Sequence, residues 1–196
     1  MLAVSCLALQ AGCGGERQDA NAPTGEFPVE VVAAEFPEDQ KLAQSSELVI
    51  TVRNAGDETM PNVAVTVDGF QYRKRDDGEL ADPARPAFAI EGDKVEIGGF
   101  PEAKDASPAG CETAFVDTWA CGRLKPGEEK EFRWRLTPVK AGEWTVGWRV
   151  SPALYGDAVA VASAGSEPRG EFRVTVSDRA PQARVADDGV TVITED

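Results

Sequence analysis

From Phe27 onward apolar residues recur at every second position, not every third or fourth, and Gly, Pro, Asn and Asp punctuate the runs. A period of two belongs to strands with one face turned to a core and one to water, so the chain reads as all-β. Glu47 to Arg53 sets Leu48, Ile50 and Val52 on one face, and the turn formers Asn54, Gly56 and Asp57 follow. Val63, Val65 and Val67 continue the pattern. Phe132, Trp134 and Leu136 share one face of a strand ending at Pro138, and Gly142 opens the next, where Trp144, Val146, Trp148 and Val150 line up. The short TPVKAG between them predicts an antiparallel hairpin with an aromatic face. Phe172, Val174 and Val176 add a strand, and Val185 with Val190 to Ile193 flank Asp188-Gly189, which predicts a closing ribbon at an edge. In 196 residues with 42% apolar content, about seven such strands make a two-sheet sandwich around one core.

The stretch ELVITVRNAGDETMPNVAVTV followed by LKPGEEKEFRWRLTPVKAGEWTVGWRV resembles the pattern of bacterial CARDB-type domains. The matching features are a strand and turn of the V-x-V-x-N-x-G kind, then an L-x-P-G-E turn, a strand, a Gly turn and a returning strand. They cover about half of the domain. The resemblance implies an immunoglobulin-like antiparallel β-sandwich of the kind found in secreted and surface proteins, with a binding or adhesion role, and it specifies a fold more than an activity. The departure is an insertion at about 73–126, longer than the usual loop. Phe88 and Ile90, Val95 and Ile97, and Phe115 and Trp119 predict short extra strands or a packed loop that decorates the sandwich, limited by Pro83, Pro86, Pro101 and Pro108.

Ahead of the sandwich, Leu2 to Ala11 is uncharged and largely apolar, too short to span a bilayer but suited to the core of a signal peptide. Ala11 and Gly12 then precede Cys13, which is similar to the lipobox of bacterial lipoproteins. That resemblance implies cleavage before Cys13 and acylation of its thiol, with Cys6 leaving in the cut segment. Gln10 stands where the family prefers an aliphatic residue, and no Lys or Arg precedes the apolar stretch. An ordinary signal peptide and a buried strand are the alternatives. The chain thus divides into a signal peptide at 1–12, a flexible, disordered tether at 13–27 and a sandwich at 28–196.

The balance of 20 basic against 34 acidic residues, a net charge of −14, repels phosphate backbones and excludes nucleic acid as a partner. There is no histidine, which removes the commonest general base and the commonest transition-metal ligand. No metal, cofactor or enzymatic activity is expected. Paired carboxylates such as Glu91, Asp93 and Glu96 lack a phosphate loop or nucleophile elbow beside them, and the acidic cluster Asp76, Asp77, Glu79 and Asp82 lacks the spacing of a calcium loop. Asp187 and Asp188 lack it too, and Asp188 is explained by its turn. Cys111 and Cys121 read as a disulfide in an oxidising compartment, two buried thiols being the alternative.

Trp134, Trp144 and Trp148 keep step with the apolar residues and are assigned to the core. Trp119 and Phe115 in the insertion, together with Arg133, Arg135 and Arg149, are the candidates for ligand contact. With Arg173, the arginines would form a basic stripe if their strands were neighbours in one sheet, although cross-strand pairing with Glu129, Glu131 and Glu171 explains them as a solvated face. The resulting expectation is a non-catalytic lipoprotein on the extracytoplasmic face of the cell membrane, held by its N-terminal lipid and binding an envelope protein or polymer. A carbohydrate or small-molecule receptor is the alternative, favoured by an exposed aromatic cleft around Trp119; a carboxylate hydrolase is a third reading.

Overall fold

The computed structural model describes residues 22–70, 86–91, 94–97, 100–103, 111–179 and 182–195. Cys6, Cys13, Asp93 and the Asp76 to Asp82 cluster lie outside them. The described residues are all-β, with no helix. In chain order the strands are β1 (Thr24–Glu35), β2 (Asp39–Lys41), β3 (Ser46–Asn54), β4 (Ala64–Val67) and β5 (Phe88–Ile90). Then come β6 (Lys94–Ile97), β7 (Phe100–Ala103), β8 (Glu112–Phe115), β9 (Thr118–Ala120) and β10 (Glu129–Pro138). The chain continues through β11 (Gly142–Ser151), β12 (Asp157–Ala162), β13 (Arg169–Ser177), β14 (Gln182–Val185) and β15 (Val192–Glu195). One sheet runs β12-β1-β3-β10-β5 and the other β2-β13-β11-β4-β9-β8, while β6–β7 and β14–β15 are separate two-stranded ribbons.

The alternation read from the sequence is the alternation of burial. Leu48, Ile50 and Val52 of β3 and Phe132 and Leu136 of β10 are fully buried, and they meet Val65, Val67, Val146, Val150 and Val174 from the opposite sheet in one core. The sandwich is therefore the expected one, with two exceptions to antiparallel pairing at its margins, where β1–β12 and β2–β13 run parallel.

The predicted β10–β11 hairpin is corrected. These strands lie in different sheets, β10 between β3 and β5 and β11 between β13 and β4. A hairpin would put Trp134 and Trp148 on one face that a further sheet must cover. Crossing the sandwich instead turns the apolar faces of the two strands toward each other. Trp148 packs over Gly170, its partner across the β11–β13 pair. A Cβ added at Gly170 would stand 2.6 Å from the Trp148 ring, so glycine makes the space the indole fills. Trp144 is half-buried and donates its indole N–H to the Lys140 carbonyl at 3.2 Å.

The sequence stretches that carry the CARDB-type pattern dock on one another. Asn54 is 1% exposed, and its side-chain amide donates to the carbonyls of Glu58 at 2.7 Å and Leu124 at 2.9 Å. Its Oδ1 accepts the Gly56 N–H at 3.0 Å. Burying a primary amide is tolerable only when its hydrogen-bonding groups are satisfied, and here the asparagine ties the β3 turn to the LKPGE turn before β10.

Part of the described insertion belongs to the body. It supplies β5 to one sheet and β8 and β9 to the other, and Phe88, Trp119 and Leu124 enter the core. Strand β1 begins at Thr24, so its first residues belong to the sandwich and not to the tether placed at 13–27. The terminal ribbon is joined by residues 186–191, a longer connection than a two-residue Asp-Gly hairpin. Asp188 organises it by accepting the N–H groups of Val190 at 2.9 Å and Thr191 at 2.8 Å and the Thr191 hydroxyl at 2.5 Å. The Thr191 hydroxyl first, then the two N–H groups, lower the Asp188 pKa to about 2.

Cys111 and Cys121 are bonded, with their Cα atoms 4.2 Å apart, across the β8–β9 hairpin. Replacing both by serine is expected to lower stability by about 3 kcal/mol, or roughly 6–12 °C in Tm, because the unfolded chain regains the entropy of that loop. Thermal unfolding by circular dichroism of the oxidised wild type and the double variant measures it.

Candidate functional site

Sheet topology creates a groove where β1 leaves one sheet for the other. Strand β12 ends at Ala162, opposite Val29, so the second half of β1 pairs with β3 alone among the described strands. A bulge between Val31 and Ala33 shifts the register there, which bends the strand and sharpens its twist. The chain then crosses through Phe36, Pro37 and Glu38 into β2. Phe36 fixes the crossing from inside, its ring edge-on to Phe88 at 5.3 Å and Phe172 at 5.8 Å.

Outward side chains of β1, β3 and β10 fall into rows across this bend: Ala33, Thr51 and Glu131 in one, Glu35, Val49 and Arg133 in the next. With Glu38, Glu47 and the Glu171 to Arg173 segment of β13 they line a groove of about 910 Å³. Its walls carry five carboxylates, Glu35, Glu38, Glu47, Glu131 and Glu171, and two guanidinium groups, Arg133 and Arg173. Arg133 donates to Glu131 at 3.0 Å and to Glu47 at 2.5 Å. These two bonds, Glu131 first, raise its pKa further above the ordinary arginine value. Arg173 donates to Glu171 at 2.9 Å. Both arginines are exposed, so the ion pairs position the groups and contribute little to stability. The surplus of carboxylates gives the groove a negative field suited to a cationic partner.

The proposed basic stripe is not assembled. Arg133 and Arg135 project from β10 and Arg149 from β11, in opposite sheets. Arg135 lies 3.5 Å from Glu91, and Arg149 lies 3.7 Å from Asp68 beside a second groove of about 500 Å³ that also contains Arg169 and Glu167. Charge pairing accounts for each of them, as the alternation of Arg with Glu implies, although the partners of Arg135 and Arg149 come from segments the sequence pattern did not connect to them.

Trp119 is corrected as a ligand contact: it is fully buried on β9, its ring edge-on to Trp134 at 5.3 Å. An aromatic cleft around it, which would favour a carbohydrate receptor, is therefore not what this residue builds. Strand β9 belongs to the sheet, so its inward parity is core. Phe115, at the end of β8, is 46% exposed and packs edge-on to Tyr155, itself 69% exposed, at 5.7 Å.

Sequence reasoning missed Glu35, Glu38 and Glu47 as groove residues, and Tyr155. The Phe36-Pro37 pair did mark a chain that must leave its strand, but the neighbours of the crossing come from three other strands. Among the described residues no cluster of three or more Asp, Glu or Cys residues is arranged to hold a metal ion.

No family model and no curated protein sequence matches the chain. Among solved structures it is similar to a CARDB domain from Pyrococcus furiosus determined in complex with di-metal ions. The identity there is 15%, 79% of this chain and 93% of that one are covered, and the TM-score is 0.41. It is also similar to Escherichia coli alpha-2-macroglobulin from domain MG7 to the C-terminus, at 16% identity and a TM-score of 0.43. That match covers 81% of this chain and 18% of that one. A sporulation control protein of Bacillus subtilis is similar at 11% identity over 79% of this chain and 51% of that one, with a TM-score of 0.35.

Proposed function

We propose that the protein is a non-catalytic binding module of the bacterial envelope, anchored outside the cytoplasm by a lipid on Cys13, which recognises a cationic segment of another envelope protein or polymer. The observation that carries the binding reading is the groove, because a concave, charged surface is built there where the paired strands β1, β3 and β10 meet β13 and the crossing through Glu38. Six of the seven charged groups, all but Glu38, stand on strands, whose backbone holds their spacing, so binding costs little backbone reorganisation. The apolar run before Cys13, its lipobox-like cysteine and the CARDB-type sequence pattern support the address and the class. Electrostatic complementarity of this kind sets partner choice and encounter rate, and it weakens with salt.

A photo-crosslinking amino acid at Val49, on the groove floor, is expected to capture one envelope component in intact cells. The adduct should fall when Glu47→Lys reverses one wall charge. The same probe at Thr145, on the outward face of β11, serves as the control. Equal capture from both positions, or none from Val49, contradicts the groove as the binding surface.

A further inference from the structure

We propose that Phe115, Val116 and Tyr155 form a foot that seats the sandwich on the membrane surface, an inference that rests on the lipid anchor at Cys13. The three side chains are 46%, 40% and 69% exposed, and the edge-on ring contact joins the β8 end to the loop between β11 and β12. Their place relative to the start of the domain gives them an occupant. Tyr155 adjoins Gly156, where an added Cβ would stand 2.3 Å from the Pro23 carbonyl oxygen, and Thr24 pairs with Asp157 at the start of the β1–β12 ladder. The aromatic pair therefore stands where the chain enters the sandwich.

Cys13 and Ala22 are nine residues apart in the chain, so the intervening backbone spans at most about 30 Å even when fully extended. An acylated Cys13 sits at the bilayer interface, and that short connection keeps this end of the domain close to it. Aromatic side chains with an apolar body and, in tyrosine, a polar tip are the residues that rest at the headgroup level. The whole chain carries a net charge of −14, so contact is driven by burial of the apolar groups and not by attraction to anionic lipid.

The foot also orients the groove. Strand β1 has twelve residues, Thr24–Glu35, and its eleven steps separate its ends by up to about 36 Å at the rise of a strand, which places Glu35, on the groove wall, at the far end of β1 from the bilayer.

The test uses the full chain purified from its own membranes and reconstituted in phosphatidylcholine vesicles containing doxyl-labelled lipid. A fluorophore is attached through Val116→Cys in one sample and through Thr51→Cys, in the groove, in another. Flotation with the vesicles reports the anchor, and quenching reports the foot. The expected result is flotation of both, quenching at 116 but not at 51, little change with salt, and loss of the quenching with flotation retained when Phe115→Ser and Tyr155→Ser are combined. Flotation without quenching at 116, or equal quenching at both positions, overturns the foot and leaves the anchor standing. A chain that does not float overturns the anchor, and the foot falls with it.

Discussion

Trp119→Ala is expected to destabilise the protein by about 3–5 kcal/mol, roughly 6–20 °C in Tm, as for other large-to-small changes of a buried aromatic. Trp119 has no exposed surface and crosses the core edge-on to Trp134, with the rings inclined at 74°. Such pairs contribute beyond their buried area, and the volume of an indole between two sheets cannot be recovered by small shifts. The indole N–H groups of Trp119 and Trp134 are both buried without a hydrogen-bond acceptor among the described residues. A buried donor left unpaired itself costs about 1–3 kcal/mol, so Trp119→Phe, which keeps a ring and removes the donor, should be much milder than the alanine change. Thermal or denaturant unfolding of the two variants checks the order. A ligand-contacting tryptophan would behave differently, with binding lost and stability kept in both.

Cys13→Ser is expected to move the protein completely from the detergent phase to the aqueous phase in detergent partitioning of whole cells. Each acyl methylene contributes about 0.8 kcal/mol to membrane attachment, so the multiple chains of a lipoprotein hold firmly where a single short chain would exchange. The apolar stretch Leu2 to Ala11 is too short to substitute as a membrane span. Partitioning unchanged by the substitution contradicts the anchor. The variant also bears on the foot, because apolar contact of three side chains is too weak to retain the domain without the lipid, so no residual detergent-phase fraction is expected.

Strand existence was legible wherever burial alternates with solvent exposure: β3, β10, β11 and β13 can be read directly from their valines, tryptophans and phenylalanines. Strand β12 was not. Its sequence DAVAVA is alanine-rich, with low strand propensity, and its sheet partner among the described strands is β1, paired in parallel, a relation no local pattern encodes. The β10–β11 error has the same root. A short connection with turn residues fits both a hairpin and a crossing between sheets, and only the need to oppose two aromatic faces decides for the crossing.

The candidate groove was the least legible feature because its rows, such as Glu35, Val49 and Arg133, join strands far apart in sequence. Arg133 was found by its alternation with Trp134, while the carboxylates that give the groove its sign looked like ordinary surface charge. Trp119 failed for a simpler reason. A segment that only decorates the fold leaves its aromatics free to meet ligand, whereas a residue on the inward face of a sheet strand is not free to do so.

Intact mass spectrometry of the protein from its native membrane fraction, with and without reduction, tests the account most directly. A chain beginning at Cys13 and carrying acyl mass, which gains the mass of two protons on reduction, is the predicted result. An unprocessed chain with free thiols in the soluble fraction would contradict it, removing the anchor, the oxidising compartment and the envelope partner together.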